Sequence, residues 1–302
     1  MNGEEMLRGY DLLIIILGIC AGTAARFVTI NIDSRQVPSY PSGYLTHLVT
    51  GFIAACLGAI AIPALLAKDF AAFTFLALAV QHFRDVRQQE RESLEMLEQT
   101  EMAARGAGYI DGIAKTYEAR NYISLLTALG TVLVLTLAGV EGLLWNLLIA
   151  GAAGGALIWL FVRMTKSKRI GDIADIAEGA IEVRGGMLYV DGIDVTMALG
   201  AQKMQELFLA EGVAVVVTPR QARHRLIVEQ LGQRKAMLFD AARSFGVKRY
   251  QFTDNDLADG RVVLAFVPII RDVPGILAAV RATPILESGR KRRHPMGKGG
   301  GA

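Results

Sequence analysis

The sequence predicts an α-helical membrane domain of about five spans, followed by a cytoplasmic domain of mixed α/β class. The chain of 302 residues is 52% hydrophobic. Its apolar runs are concentrated before residue 163, in lengths that a soluble core rarely needs. After that point, short β-rich runs alternate with amphipathic stretches. We therefore expect a transmembrane domain at 1–163, a soluble domain at 164–288 and a disordered, basic, glycine-rich tail at 289–302.

Five apolar segments form the predicted membrane domain. They are Leu12–Ile30, Tyr44–Leu66, Phe70–Phe83, Tyr122–Val140 and Leu143–Val162. A span needs roughly 20 apolar residues, so the third segment is short and is expected to be tilted or only partly inserted. Arg26 lies near the end of the first segment, where its side chain can reach the interface.

Basic residues orient these segments. They cluster between the third and fourth segments, within 84–120, and again at 163–169, whereas the turn at 138–142 contains none. Basic residues favour the cytoplasmic side of a membrane. With five spans, both clusters are then inside and the N-terminus is outside, and 84–121 is a cytoplasmic helical loop. We expect the protein in the cell (inner) membrane.

The soluble half has a pattern of strands and helices. The run at 179–195 predicts a hairpin that turns at Gly185-Gly186, and a helix is predicted over about 197–210. Strands are predicted at "VAVVVTP" and "RVVLAFVPII", with a basic helix over 220–245 between them. A last helix is predicted at 272–282.

Charge divides the chain into two halves. Residues 1–163 contain 11 Lys and Arg against 14 Asp and Glu, whereas residues 164–302 contain 21 against 15. Beside a membrane, a basic domain favours anionic lipid, and no nucleic-acid motif accompanies it, so we expect lipid contact and no nucleic-acid partner. Cys20 and Cys56 lie in apolar segments and predict no disulfide.

Familiar catalytic motifs are missing from the sequence. The motifs of serine hydrolases, zincins and P-loop ATPases do not occur. His47, His82 and Asp85 give only a weak metal signal, and the two histidines are better interpreted as hydrogen-bonded interior residues. We predict no metal and no cofactor.

Carboxylates at the edges of the apolar segments are the candidates for chemistry. Asp33, Asp85 and Asp111 each border such a segment, where an unpaired carboxylate is costly. Asp172 and Asp175 follow the fifth segment in "IGDIADI", where the favoured interpretation is a helix start with two acids at its N-terminus. Two carboxylates held close together share a proton and can act as base and acid toward a peptide bond.

One stretch identifies a family. Residues 109–114, "YIDGIA", resemble the hexapeptide that names the YIEGIA family, membrane proteins of endospore-forming bacteria. The stretches "RQVPSYPSGYLTHL", "FLALAVQHFRDVR" and "IGDIADI" are also in keeping with it. The resemblance implies a role in sporulation and an activity as a membrane-bound aspartic endopeptidase, with a protein substrate and a small protein inhibitor as partners.

The chain departs from the naming motif at one position, where Asp111 replaces glutamate. A position that accepts Glu is a poor candidate for an aspartate dyad, so we expect Asp111 to be a supporting residue. The dyad candidates are then Asp33, Asp85, Asp172 and Asp175, without a choice among them. The supporting candidates are Asp111, Lys115, Glu118, His47 and His82.

Two other functions compete with the protease. A non-enzymatic scaffold would recruit a sporulation protein through the basic domain. A transporter would need charge deep inside the spans, and only Arg26 approaches such a position. The protease is therefore the first hypothesis, the scaffold the second and the transporter the last.

Overall fold

A computed structural model describes residues 3–33, 41–68, 70–99, 103–165 and 168–287. The predicted tail at 289–302 lies outside the described residues. Contacts divide the chain into two compact units. The first unit comprises Met1–Arg91 and Ile113–Lys166, and the second comprises Glu92–Gly112 and Ser167–Ala302.

Long helices build the first unit, although the last residues of α3 and the first residues of α4 belong to the second. They are α1 (Gly3–Asp33), α2 (Pro41–Leu66), α3 (Phe70–Glu98), α4 (Ala107–Ala138) and α5 (Leu143–Thr165). Four of them are long and apolar enough to cross a membrane, with spans at Leu12–Ile30, Tyr44–Leu66, Ala107–Ala138 and Leu143–Thr165. The predicted third segment is the apolar first half of α3, and the charged second half continues it as one helix. A helical domain with several possible spans is thus confirmed.

Small residues bring the helices of the first unit close together. A Cβ atom at Gly58 of α2 would collide with the carbonyl oxygen of Leu125 on α4. On α1, Gly18 faces Val132 of α4, and Gly22 faces Ser124. In a bundle within lipid, where hydrophobic burial does not drive association, such close backbone packing is a main source of stability. These pairs also show that α1 and α4 run antiparallel.

The second unit contains a four-stranded and a three-stranded sheet, both antiparallel. The larger sheet has the order β1 (Ala174–Gly179), β5 (Val213–Pro219), β7 (Val262–Pro268), β6 (Val247–Asn255). The smaller sheet is a meander of β2 (Ile181–Arg184), β3 (Met187–Val190) and β4 (Ile193–Ala198). The helices are α6 (Gln202–Glu211), α7 (Ala222–Val228), α8 (Leu231–Phe245) and α9 (Val273–Ala282).

The core of the second unit covers both faces of the larger sheet. On one face, alternate residues of β5 and β7 pack against the meander and against Phe208 of α6. Helices α7, α8 and α9 contact the larger sheet through β5, β6, β7 and β1. Because β5 and β7 are covered on both faces, they read in the sequence as continuous apolar runs. A region of mixed α/β structure is thus confirmed.

Several predicted elements are confirmed, and others need correction. The hairpin turns at Gly185 and Gly186, which have φ angles of 59° and 81°, so Arg184 pairs with Met187. The predicted helix over 197–210 begins only at Gln202, because β4 continues to Ala198. The predicted helix over 220–245 is two helices, since the backbone at Gln230 is extended. Strands β1 and β6 were not predicted.

Candidate functional site

Buried polar side chains gather where α1, α2 and α4 of the first unit meet. Arg26 of α1 is only 2% exposed. Its Nε donates a hydrogen bond to the carbonyl oxygen of His47 at 3.0 Å, and its Nη2 lies 3.0 Å from Nδ1 of the same residue. The guanidinium also lies over the ring of Tyr117, 5.0 Å from its centre. A cation inside an apolar helix bundle needs such partners. An ionisable residue in this position is a candidate for a functional site.

Tyr117 and Arg120 of α4 contact the neighbouring helices α2 and α1. The hydroxyl of Tyr117 lies 3.2 Å from Oγ1 of Thr50, and its ring is 4.5 Å from that of His47. Arg120 donates from Nη1 to the carbonyl oxygen of Thr29 on α1 at 3.2 Å. We call Arg26, His47, Thr50, Tyr117 and Arg120 the polar cluster. It lies toward the C-terminal end of α1 and the N-terminal ends of α2 and α4.

A polar stripe continues from the cluster along α4. Asn121, Ser124, Thr127 and Thr131 are fully buried and spaced three or four residues apart, which places them on one side of the helix. Among the described residues, no hydrogen-bond partner satisfies the amide of Asn121, the hydroxyls of Ser124 and Thr127, or Nη1 of Arg26. Unsatisfied polar groups are costly in an apolar bundle, and such a concentration is typical of a functional interior.

The sequence had named only part of this cluster. His47 was predicted as a hydrogen-bonded interior residue, which the contacts with Arg26 confirm. Tyr117, Thr50 and Asn121 were missed. Their signal was present, because a polar residue recurs every three or four positions through an otherwise apolar α4.

The two candidate aspartates of the first unit lie on different helices. Asp33 is the last residue of α1, and its side chain lies outside the described residues, as does that of His82. Asp85 is exposed on α3 and engaged in interactions of its own. Glu118 is ion-paired with Arg87 of α3 at 3.1 Å.

The two candidate aspartates of the second unit lie beside each other on the surface. The carboxylate of Asp172 accepts a hydrogen bond at 2.8 Å from the backbone N–H of Arg169, across a single 3₁₀ turn at Ile170–Asp172. Asp175 lies on strand β1 and is ion-paired with Arg220 at 2.9 Å. The predicted helix start is therefore present at Asp172 only as a single 3₁₀ turn. The prediction is wrong for Asp175, which lies on a strand.

The first residues of the hexapeptide belong to the second unit and pack within it. The hydroxyl of Tyr109 donates to the carboxylate of Asp240 on α8 at 2.8 Å, and its ring meets that of Phe239 edge-on. The guanidinium of Arg105 also contacts Phe239 and lies 4.9 Å from the centre of its ring. Ile110 is fully buried. Tyr109, the first residue of the motif, therefore holds this segment on α8.

The third residue of the motif, Asp111, is half-buried on α4. Asp111 and Lys115 both make interactions, and their predicted pairing stays a prediction. Within the described residues, no group of three histidine, cysteine or acidic side chains is arranged to hold a metal ion.

Comparison with known proteins gives one family. The family model "YIEGIA protein" matches residues 14–296. The chain is 38% identical over 281 residues to the uncharacterized protein YphB of Bacillus subtilis (strain 168), which covers 91% of this chain and 92% of that protein. No solved structure matches the chain.

Proposed function

Because the chain belongs to the YIEGIA family, we propose that it is a membrane-bound aspartic protease that acts at the cytoplasmic face during sporulation. Proteolysis is what the family resemblance implies. The observation that carries the proposal is the polar cluster, which concentrates buried polar groups at one end of an apolar helix bundle. A site at that end offers a protected, low-dielectric environment close to the interface.

Asp33 and Asp85 are the proposed dyad. An aspartate dyad works because one carboxyl keeps its proton while the other is ionised. The carboxylate of Asp175 is ion-paired with the Arg220 guanidinium, and the carboxylate of Asp172 accepts a hydrogen bond from a backbone N–H. These contacts support a structural role for the two aspartates of the second unit.

Contacts with α4 support a common location for Asp33 and Asp85. Asp33 follows Thr29 by one helical turn, and the Thr29 carbonyl oxygen binds Arg120. Asp85 follows Phe83 by two residues, and the Phe83 ring meets that of Tyr122 edge-on, with centres 5.8 Å apart. Because α1 and α3 both run antiparallel to α4, Asp33 and Asp85 both lie on the side of these contacts that faces the N-terminal end of α4.

The chemistry then follows the general pattern of paired carboxylates. The ionised aspartate takes a proton from water, and the oxygen of that water attacks the carbonyl carbon of the scissile peptide. The protonated aspartate donates its hydrogen bond to the carbonyl oxygen and stabilises the tetrahedral intermediate. As the C–N bond breaks, the leaving amine takes up a proton from the dyad. No metal is needed in this sequence of steps.

Five crossings give the membrane arrangement of the proposal. Phe83 of α3 packs on Ala54 and Leu57 of α2, and Arg87 binds Glu118 of α4. These contacts support an α3 that runs back along the bundle after the turn at the end of α2. The basic residues within 84–120 and 163–169 then lie in the cytoplasm, and the N-terminus lies outside.

The test is cleavage of candidate sporulation proteins that are co-expressed with the full chain. We expect Asp33→Asn and Asp85→Asn each to abolish cleavage at normal membrane levels, because a dyad needs both acids. The matched controls Asp172→Asn and Asp175→Asn should still cleave. If neither Asp33→Asn nor Asp85→Asn reduces cleavage, this dyad is wrong. If none of the four affects function, the non-enzymatic scaffold becomes the better explanation.

A further inference from the structure

Arg26 determines which ring nitrogen of His47 carries the proton. Nη2 of Arg26 lies 3.0 Å from Nδ1 of His47, within hydrogen-bond distance. A guanidinium has N–H donors and no acceptor, so Nδ1 must accept this bond. The neutral imidazole then carries its single proton on Nε2. A proton on Nδ1 would point at the guanidinium and break the bond.

The position of the His47 ring is fixed as well as its tautomer. The His47 carbonyl oxygen accepts hydrogen bonds from Nε of Arg26 at 3.0 Å and from Oγ1 of Thr50 at 3.1 Å. The ring centre lies 4.5 Å from that of Tyr117. The Arg26 side chain packs so closely on Gly51 that a Cβ atom there would collide with it. These contacts hold Nε2 in one place, as a preorganised hydrogen-bond donor requires.

The Nε2–H group of His47 is available to a ligand. No hydrogen bond joins Nε2 to a residue that the structure describes. Nη1 of Arg26 is sealed from solvent, whereas Nε2 of His47 is not among the sealed atoms, and His47 keeps 8% of its surface exposed. An oriented N–H group of this kind can donate to the carbonyl oxygen of a bound molecule.

His47 lies on the same side of the first unit as the proposed dyad. Its ring contacts Tyr117, which precedes Arg120 on α4 by three residues. The backbone positions of Asp33 and Asp85 also lie toward the N-terminal end of α4 from the contacts described above. A peptide bound at the dyad therefore reaches the end of the bundle where His47 lies.

We propose that His47, held by Arg26 as the Nε2–H tautomer, is a catalytic residue that donates a hydrogen bond to the carbonyl oxygen of the scissile peptide. This inference rests on the protease proposed above. The proton stays on Nε2, and the N–H group stabilises the negative charge that develops on the oxygen, alongside the protonated aspartate. Arg26 is a positioning residue, because it acts through His47 and does not touch the substrate.

The first experiment tests the tautomer without a substrate. The full chain is prepared in detergent with isotopically labelled histidine at about pH 8, where an ordinary histidine is neutral. Nitrogen chemical shifts distinguish a protonated ring nitrogen from a bare one, and the His47 signals are assigned by their loss in His47→Gln. We expect a protonated Nε2 and a bare Nδ1.

Arg26→Met tests whether the arginine selects this tautomer, because methionine keeps an unbranched side chain and removes the donor. We expect a mixture of both tautomers in Arg26→Met. Arg163→Met, at an exposed position in the last turn of α5, is the matched control and should keep the single tautomer. A proton on Nδ1 in the wild type, or a tautomer that Arg26→Met leaves unchanged, would overturn the proposal.

The second experiment measures cleavage of a substrate, found by the co-expression test above, by the purified full chain. His47→Gln keeps an N–H donor near the position of Nε2, whereas His47→Met has none. We expect His47→Met to lower kcat about a hundred-fold, as the loss of one such donor does, and His47→Gln to recover a large part of that loss. His224→Met on α7 is the control and should cleave normally.

The outcomes separate this inference from the proposed function. If the wild-type chain cleaves no candidate, the protease fails and the donor role fails with it, whatever the tautomer. If the wild type cleaves and His47→Met cleaves equally well, the protease stands and the donor role alone is wrong. Equal losses in His47→Met and His47→Gln would also overturn the donor role, because the N–H group would then not be what matters.

Discussion

The hydroxyl of Tyr109 shows how a single side chain of the hexapeptide contributes to stability. Its hydrogen bond to Asp240 has a charged acceptor, and such bonds contribute about 1.5–3 kcal/mol when buried. We expect Tyr109→Phe to lower the free energy of unfolding by about 1–2 kcal/mol, because the pair is only partly buried. Thermal unfolding in detergent measures the change. Tyr189→Phe is the control, since no described residue bonds that hydroxyl, and an equal loss in both variants would contradict the explanation.

The carboxyl of Glu90 on α3 gives a pH prediction. Burial raises the pKa of Glu90 above its ordinary value of 4.5. Between the ordinary and the raised pKa, the folded protein holds a proton that the unfolded chain has lost, so stability falls as the pH rises through that window. We expect Glu90→Gln to raise the melting temperature at neutral pH and to flatten this fall. Glu141→Gln, at an exposed loop, should change neither, and a Glu90→Gln variant that melts lower at neutral pH would refute the assignment.

At this scale, the sequence predicted kinds of residue better than their partners. His47 was recognised as an interior histidine because it begins an apolar segment. That it binds Arg26 depends on how α1 and α2 face each other, which no local pattern contains. Asp175 was misread for the same reason, since its partner Arg220 follows 45 residues later, directly after the neighbouring strand β5.

Helix packing in the first unit depends on a few glycines, and Gly58 of α2 is the most constrained. A Cβ atom there would meet the backbone of Leu125, which no side-chain rearrangement can relieve. We expect Gly58→Ala to destabilise the bundle by about 1–3 kcal/mol, as overpacked cores do. Gly151→Ala on α5 is the control, because nothing lies within 4 Å of its Cβ position. If the two variants have the same melting temperature in detergent, α2 and α4 do not approach so closely.

Element boundaries were predicted well where the chain signals them locally. The glycine pair at 185–186 fixes the β2–β3 turn, and Asp272 caps α9 by accepting the N–H of Gly275. Strand β6 was missed because "VKRYQFTDN" contains only three apolar residues and does not alternate along its length. Only its pairing with β7 makes it a strand, so its identity depends on long-range contacts.

The number of membrane crossings is the main property of the whole molecule that the sequence left open. Four helices qualify by length and composition, and the proposed fifth crossing uses the apolar half of α3. With both basic clusters inside, five crossings place the N-terminus outside, whereas four crossings place it inside. Reporter fusions at Arg91 and Ser167 should both report the cytoplasm, and a fusion at the N-terminus should report the outside. An N-terminal reporter that is active in the cytoplasm would exclude the fifth crossing.

Helix α4 continues without a break for 32 residues, from the hexapeptide to the far end of its span. Each residue turns an α-helix by about 100°. One residue inserted between Tyr109 and Tyr117 would therefore rotate one tyrosine relative to the other by that angle about the helix axis. A seven-residue insertion would nearly restore the phase but lengthen the rod by about 10 Å. Across this stretch, a substitution leaves the angle between the two tyrosines unchanged, whereas a change in the length of the helix resets it.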